Sequence, residues 1–292
     1  MKKRLSTICL VFTFFVGLAI MLYPVISDVW NAHTQSRAVA SYEGTVGAMD
    51  RTTRENMLSL AEQFNEKLAA DKTLFLHPES VSGEYESILN VSGTGVMGVV
   101  KIPKINVELP IYHTTAESVL QIGAGHLEGT SFPIGGESTH AVVSGHRGLP
   151  SSRLFTDLDK LEEGDIFSFT VLDQTVTYQI DQIRIVEPSA VDDLQIVDGQ
   201  DLATLFTCTP YGINSHRLLL RGHRIPNDAP VLNVAAEAVK VDPLMALPAV
   251  GLPMLVVILV IAVISNSREQ KRRMRLAKLG NDMGLKLQDK KR

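Results

Sequence analysis

Two long apolar stretches near the ends of the chain limit the folds that it can adopt. Residues 5–26 and 244–264 contain no charged side chain over 22 and 21 positions, and an α-helix needs roughly 20 apolar residues to cross a bilayer. A helix buried in a soluble core usually keeps a polar stripe, which neither stretch has. The sequence therefore predicts two transmembrane helices that bracket a water-exposed domain.

Flanking charge sets the predicted orientation, because Lys and Arg beside a membrane helix tend to stay in the cytoplasm. Basic residues occupy positions 2–4 before the first stretch and are frequent in the tail at 266–292 after the second. We expect a two-pass protein of the cell membrane with both termini cytoplasmic and the intervening domain extracellular. The alternative for the first stretch is a cleaved signal peptide with Val25 and Ser27 at the cleavage site, but its apolar core exceeds the roughly 7 to 15 residues of such signals.

The charge between the two stretches is strongly acidic. It comprises 15 basic and 29 acidic residues, a net charge of about −14. Such a surface argues against nucleic-acid binding and attracts basic partners. The chain has two cysteines, Cys9 in the first apolar stretch and Cys208, which cannot build an extracellular disulfide framework. Cys208 is therefore expected to be a free thiol.

The segment around Cys208 has the pattern of a hairpin. Residues 204–208 alternate as an extended chain does, residues 210–214 supply turn residues, and residues 217–221 form a second apolar strand. A thiol at the end of one strand and the guanidinium of Arg217 at the start of the next can face one pocket, as a nucleophile and a cationic donor. Taken alone, a free cysteine is more often a small buried apolar residue.

The motifs in which these residues stand resemble those of the sortases. TLFTC at 204–208 fits the TLxTC motif of that family, and residues 211–217 resemble the class C, pilus-assembling members. SGHRGLP at 144–150 resembles the histidine motif of the family. Three further segments extend the resemblance over most of the chain, namely 23–35, MGVVKIP at 97–103 and GAGHLEGTSFPIGG at 123–136.

The resemblance implies a site and a reaction. Cys208 is expected to attack the Thr–Gly bond of an LPxTG-like sorting signal, His146 to protonate the departing amine, and Arg217 to stabilise the oxyanion. Thr204 and Thr207 are expected to contribute to substrate binding. A class C enzyme then transfers the acyl group to a lysine of another pilin subunit, without a cofactor or a metal. The alternatives are a sortase that attaches LPxTG proteins to the cell wall and a catalytically silent module that binds sorting peptides.

The protonation states of the predicted pair limit its activity. Neither motif contains a carboxylate that could orient His146, unlike a papain-like triad. With ordinary titration, about 3% thiolate and about 25% imidazolium coexist at pH 7, so about 1% of sites would hold both. The sequence therefore predicts a slow enzyme unless the site shifts these populations.

The predicted architecture is mainly β, an eight-stranded sortase-type barrel with short helical inserts, N-terminal helices and two transmembrane helices. The first membrane helix and N-terminus occupy 1–26, N-terminal helices and a lid region 27–95, the catalytic barrel 96–230, a linker 231–243, the second membrane helix 244–265 and a basic cytoplasmic tail 266–292. Strands are predicted at 97–102, 107–112, 141–144, 166–172, 176–185, 203–208 and 217–222, with helical inserts near 117–122 and 151–161. Many class C sortases carry an Asp-Pro-aromatic lid motif, which residues 72–88 lack, so we expect an ordinary linker there and a more open cleft.

Overall fold

The structure is a computed structural model that describes residues 2–227 and isolated positions between 253 and 279. The predicted linker at 231–243 lies outside the described residues, as do most positions of the predicted second membrane helix at 244–265 and of the tail at 266–292. The chain divides into two compact units. One is Ser27–Ala238, and the other combines Met1–Ile26 with Val239–Arg292.

Two long helices begin the chain, α1 at Lys2–Ala48 and α2 at Arg51–Ala70. Within the part of the chain that the structure describes, one helix is long and apolar enough to cross a membrane, and it lies in α1. The C-terminal part of α1 buries Val39, Tyr42 and Val46, which recur at helical spacing. The predicted N-terminal helices are therefore present, and α1 joins the apolar stretch and the first amphipathic helix into one element.

Tyr42 fixes α1 to the domain through two backbone groups. Its hydroxyl donates to the carbonyl of Met97 at 2.9 Å and accepts the N–H of Leu172 at 2.7 Å. The side chain is buried, and the loss of solvation raises the pKa of Tyr42 to about 12. The phenol is thus neutral at physiological pH, with its donor and its acceptor both satisfied.

Helix α2 begins at the N-cap residue Asp50, whose carboxylate accepts the N–H of Thr53 at 2.9 Å. Its buried side chains include Ala61, Phe64 and Leu68, as the helical period predicts. Leu60 is 52% exposed, because it lies off the stripe that those three residues define.

Eight strands form a closed barrel in the order β1-β2-β3-β4-β7-β8-β6-β5. Their bounds are β1 Val96–Ile102, β2 Val107–Tyr112, β3 Ala124–His126, β4 Thr139–Ser144, β5 Ile166–Val171, β6 Gln174–Val186, β7 Asp201–Thr209 and β8 His216–Ile225. The pairs β2/β3 and β4/β7 are parallel and the other pairs are antiparallel. The predicted eight-stranded barrel is confirmed.

Short helical segments fill the connections. The α-helical segments are α3 at Ser82–Ser87 and α4 at Glu117–Leu120, and the 3-10 turns are Lys72–Phe75, Pro78–Ser80, Pro103–Ile105, Leu158–Lys160 and Asp192–Leu194. The helical insert predicted near 117–122 corresponds to α4. The one predicted at 151–161 is wrong except for its last turn. The N–H of Phe155 donates to the carbonyl of His146, and the Thr156 hydroxyl accepts the N–H of Gly148, so the segment folds back on the chain at 146–148.

Candidate active site

Strands β7 and β8 place Cys208 directly opposite Arg217. The two residues form a register pair of the antiparallel ladder, and the side chains of such a pair have Cβ atoms about 4.5 to 5.5 Å apart. Both residues are half-buried, whereas their strand neighbours Thr207 and Leu218 are buried. The thiol and the guanidinium therefore share one face at the end of the hairpin.

Arg217 and Arg221 differ in their partners, although strand alternation places them nominally on one face. Arg221 binds both carboxylate oxygens of Asp181, at 3.0 and 3.3 Å. The hydrogen bonds of the Arg217 guanidinium reach the carbonyls of Asn214 and His216, at 3.3 and 3.2 Å. Among the described residues no carboxylate pairs with Arg217, so its charge is available to a ligand beside Cys208.

Strand β7, which carries Cys208, is hydrogen-bonded to the residues that precede His146. Ser144 at the end of β4 pairs in parallel with Phe206 of β7, so His146 and Cys208 both lie two residues beyond this pair. The N–H of Gly145 donates to the carbonyl of Phe206 at 3.2 Å, and the hydroxyl of Thr207 donates to the carbonyl of Gly145 at 2.7 Å. The parallel pairing of β4 and β7 thus brings the histidine motif and the cysteine motif to the same end of the barrel.

The His146 side chain is 23% exposed and contacts a carboxylate that sequence reasoning missed. Its Nε2 lies 3.2 Å from both Oε1 and Oε2 of Glu117, the first residue of α4. The amide of Gln121 donates to Glu117 Oε1 at 2.6 Å. The hydrogen bonds from Gln121 and then from His146 hold the pKa of Glu117 below its ordinary value. Glu117 lies 29 positions before His146, in the connection between β2 and β3. The sequence pattern predicted a helix at 117–122, but it did not indicate that this helix meets His146.

The two threonines predicted to bind substrate are both buried and have their hydroxyls engaged within the protein. Thr204 bonds to Nε2 of His140 at 2.8 Å, and Thr207 bonds to Gly145 as described above. In this structure they tie the cysteine strand to the neighbouring β4 segment. Their role in substrate binding stays a prediction.

Arg147, which follows His146, adds a further link between the same segments. Its guanidinium pairs with Asp159 and donates to the hydroxyl of Thr209 at 3.0 Å. The side chain is 8% exposed. Because Thr209 follows Cys208, this arginine fixes the histidine loop to the end of the cysteine strand.

Two other histidines lie in the interior and are neutral. His140 donates from Nδ1 to the carbonyl of Gln195 at 2.8 Å, and burial lowers its pKa to about 4. His126 faces Tyr85, whose hydroxyl lies 3.0 Å from Nδ1, and burial lowers the pKa of His126 to about 4 as well. Since a carbonyl only accepts, the Nδ1–H tautomer of His140 is the one that fits. Neither ring is placed at the edge where Cys208 lies.

The segment without a lid motif packs beside β3. Tyr85 of α3 accepts the N–H of Thr114 at 3.1 Å and contacts the ring of His126. The backbone of Phe75 comes so close to Gly129 that a Cβ on this glycine would lie 3.2 Å from the Phe75 carbonyl oxygen. Gly129 also has a φ of +82°, which favours glycine. The segment is therefore held on the β3 side of the barrel by the Tyr85 side chain and by the close approach of the Phe75 backbone.

Comparison with known proteins gives one consistent family. A profile described as the sortase domain matches residues 100–225. Sortase D of Bacillus subtilis (strain 168) is 29% identical over 198 residues, which cover 64% of this chain and 92% of that protein. Among solved structures, sortase C1 of Streptococcus agalactiae is 50% identical, covers 66% of this chain and 100% of its own, and superposes with a TM-score of 0.61. Sortase C of Streptococcus pneumoniae is 45% identical, with coverages of 67% and 100% and a TM-score of 0.59.

Proposed function

Since this chain belongs to the sortase family, we propose that it is a membrane-anchored cysteine transpeptidase that polymerises pilins. It cleaves LPxTG-like sorting signals between Thr and Gly and joins the acyl group to a lysine of another pilin subunit. The observation that carries the proposal is the placement of Cys208 opposite Arg217, with the His146 loop bonded to the same strand.

The pilin substrate is supported by the solved neighbours. The pneumococcal sortase C is described in terms of its pilin substrate specificity, and a Group B Streptococcus neighbour, 40% identical, is described as pilus-related. The acidic character of the segment between the apolar stretches favours an approaching lysine. These features favour polymerisation over attachment to the cell wall.

The first half-reaction begins with the thiolate of Cys208, which attacks the threonine carbonyl carbon of the sorting signal. Arg217 donates N–H groups to the carbonyl oxygen, which carries negative charge in the tetrahedral intermediate. The C–N bond to glycine then breaks, and His146 gives a proton to the departing nitrogen. The products are a thioester on Cys208 and a peptide with a free glycine amine.

The second half-reaction reverses these proton movements. The neutral ε-amine of a pilin lysine attacks the thioester carbonyl, and His146 takes the proton that this nitrogen loses. The C–S bond breaks and Cys208 leaves as a thiolate. An isopeptide bond has formed, and the site has returned to the thiolate and imidazolium with which it began.

Membrane anchoring is supported by the surface of α1. Its apolar side chains Phe12 and Ile20 are exposed by 69% and 70%, and Tyr23 and Trp30 by 57% and 72%. Tyr and Trp favour the interface between lipid and water. With basic residues at 2–4, this helix anchors the domain on the outer face of the cell membrane.

Protease added to protoplasts should digest residues 27–241 and spare tags at both termini. Cleavage of a C-terminal tag from outside would overturn the two-pass topology.

The function is tested with the full-length protein in detergent micelles, an LPxTG peptide and a lysine-bearing pilin fragment. Mass spectrometry should find the peptide, cut after threonine, joined to a lysine side chain, and Cys208→Ala should give no such product. An added peptide that carries the amine of a cell-wall cross-bridge serves as a competing acceptor. Exclusive transfer to that competitor would assign the protein to wall attachment, and binding without either product would reduce it to a peptide-binding module.

A further inference from the structure

The contact between His146 and Glu117 determines which ring nitrogen holds its proton. Nε2 is equidistant from the two carboxylate oxygens, at 3.2 Å. Because the pKa of Glu117 lies below its ordinary value, the group is ionised at physiological pH and can only accept hydrogen bonds. Nε2 therefore carries a hydrogen whether the His146 ring is neutral or charged.

The other ring nitrogen is then the one that exchanges protons. In the imidazolium form Nδ1–H is an available donor, and in the neutral form Nδ1 is a bare acceptor. We propose that Glu117 is a positioning residue that fixes the Nε2–H of His146, favours the imidazolium form and reserves Nδ1 for the proton transfers at the reacting nitrogen. This inference rests on the proposed function, because it assigns an atom to each proton movement given there.

Glu117 is itself held in place by its surroundings. The amide of Gln121, one helical turn further on, donates to Oε1 at 2.6 Å, while both carboxylate oxygens stay within 3.2 Å of His146 Nε2. Helix α4 leads into β3, and β3 pairs with β4 through Gly125 and Ser144, two residues before His146. The carboxylate and the imidazole are thus connected through adjacent strands of the barrel, although Glu117 is 71% exposed.

Among the described residues, the charged and titratable groups around His146 come from three elements. Helix α4 supplies Glu117 and the β7–β8 hairpin supplies Cys208, Arg217 and Tyr211, whose ring lies beside Gly148. The loop after His146 supplies two ion pairs, Arg147 with Asp159 and Arg153 with Asp157. The carboxylate of Asp159 is engaged by Arg147. Glu117 is therefore the acidic group that bonds to the imidazole.

The proton balance of the two half-reactions follows from this arrangement. When the glycine nitrogen departs, Nδ1 gives up its proton and the electron pair stays on the ring, while the Nε2–H group keeps its hydrogen bond to Glu117. When the lysine amine attacks, Nδ1 accepts the proton that the amine loses. The carboxylate of Glu117 takes no proton in either step, and it plays the orienting role of the aspartate in a serine-protease triad.

The kinetic test compares wild type with Glu117→Gln, which keeps the shape and an acceptor oxygen but removes the charge. Acylation requires a thiolate together with an imidazolium, and at pH 5.5 an ordinary histidine is mostly protonated without help. The variant should therefore match wild type at pH 5.5 and acylate about two- to five-fold more slowly at pH 8, the size expected for an exposed ion pair. A ratio that stays the same across this pH range would overturn the proposal.

Glu108→Gln is the matched control. Glu108 pairs with Lys101 on the neighbouring strands, at 3.4 Å, and is also exposed, by 48%. Neutralising it should leave the pH profile and the acylation rate unchanged. A control variant with the same pH-dependent loss would assign the effect to the net charge of the surface instead of to the His146 contact.

The tautomer is tested by NMR on protein labelled with ¹⁵N-histidine, with His146→Gln to identify the signals. At a pH where the ring is neutral, Nε2 should show the shift of a protonated nitrogen and Nδ1 that of an unprotonated one. Glu117→Ala, which removes the acceptor, should mix the two tautomers. The opposite assignment in wild type would overturn the proposal. Failure of wild type to acylate at all would instead refute the proposed function, so the two results are distinguishable.

Discussion

Lowering the pH from 7.5 to 5 should destabilise the barrel by about 4 kcal/mol, because His126 and His140 are buried in their neutral forms. Their exposed fractions are 0% and 1%. Burial lowers the pKa of each from 6.5 to about 4, chiefly through the loss of solvation of the charged ring. Unfolding releases both rings into water, where they protonate at their ordinary pKa.

The magnitude follows from the difference in proton binding. Between the folded pKa of about 4 and the unfolded value of 6.5, the unfolded chain binds more protons, so the free energy of unfolding decreases as the pH falls. Each pH unit below 6.5 costs about 1.4 kcal/mol for each ring. At pH 5 this amounts to about 2 kcal/mol for each histidine, a large part of the total stability of a typical domain.

Carboxylates act in a different pH range. Asp50 and Asp71 have a pKa below the ordinary 3.8, through hydrogen bonds from Thr53 and Thr73. The stability that they contribute is present above that ordinary value and is lost as the pH falls through the folded pKa. Glu117 likewise has a pKa below its ordinary 4.5. Since all these ordinary values lie below pH 5, the loss between pH 7.5 and 5 is assigned to the buried histidines.

The assay is urea unfolding of a soluble fragment of residues 27–238 at pH 7.5, 6 and 5, since this range forms one compact unit. His140→Gln lowers stability at every pH, but it should reduce the pH-dependent loss from about 4 to about 2 kcal/mol, because one of two titrating rings is gone. An unchanged loss in that variant, or equal wild-type stability at pH 7.5 and pH 5, would refute the reasoning.

Substitutions at Arg217 and at Thr207, each with a matched control, test the site itself. Arg217→Lys keeps the charge but loses the planar fork, so kcat/KM for acylation should fall about 10²-fold with little change in Tm. Arg221→Lys should lower Tm slightly through its contact with Asp181 and have a mild effect on the acylation rate. Near-normal acylation in Arg217→Lys would show that Arg217 has a structural role and no catalytic one. Thr207→Val removes the donor to Gly145 and should cost about 1 to 3 kcal/mol of stability together with acylation rate, while Thr207→Ser retains both. Equal stabilities of the valine and serine variants would show that this hydrogen bond contributes nothing.

Local sequence pattern predicted the parts of the fold that depend on neighbouring residues. The alternation at 204–208 and the turn residues after it predicted the β7–β8 hairpin, and the register confirms that Cys208 faces Arg217. The motifs predicted the eight-stranded barrel. Strand β3 was missed because Ala124–His126 is too short for a period of two to show.

Contacts between distant segments could not be predicted from the chain alone. The carboxylate at His146 comes from Glu117, in a separate connection, and is brought there by the pairing of β3 with β4. The same holds for His140, whose partner Thr204 lies 64 positions away on a neighbouring strand. The motif itself could not show that the hydroxyl of Thr207 faces Gly145 in the interior.

Covalent catalysis by Cys208 is tested by the mass of the Cys208 peptide after full-length protein is mixed with an LPxTG peptide and quenched in acid. The Cys208 peptide should gain the mass of the substrate up to its threonine, as a thioester that hydroxylamine removes. Cys208→Ala should show no adduct. Released glycine product without an adduct on Cys208 in wild type, or with the same yield in Cys208→Ala, would show that Cys208 is not the nucleophile.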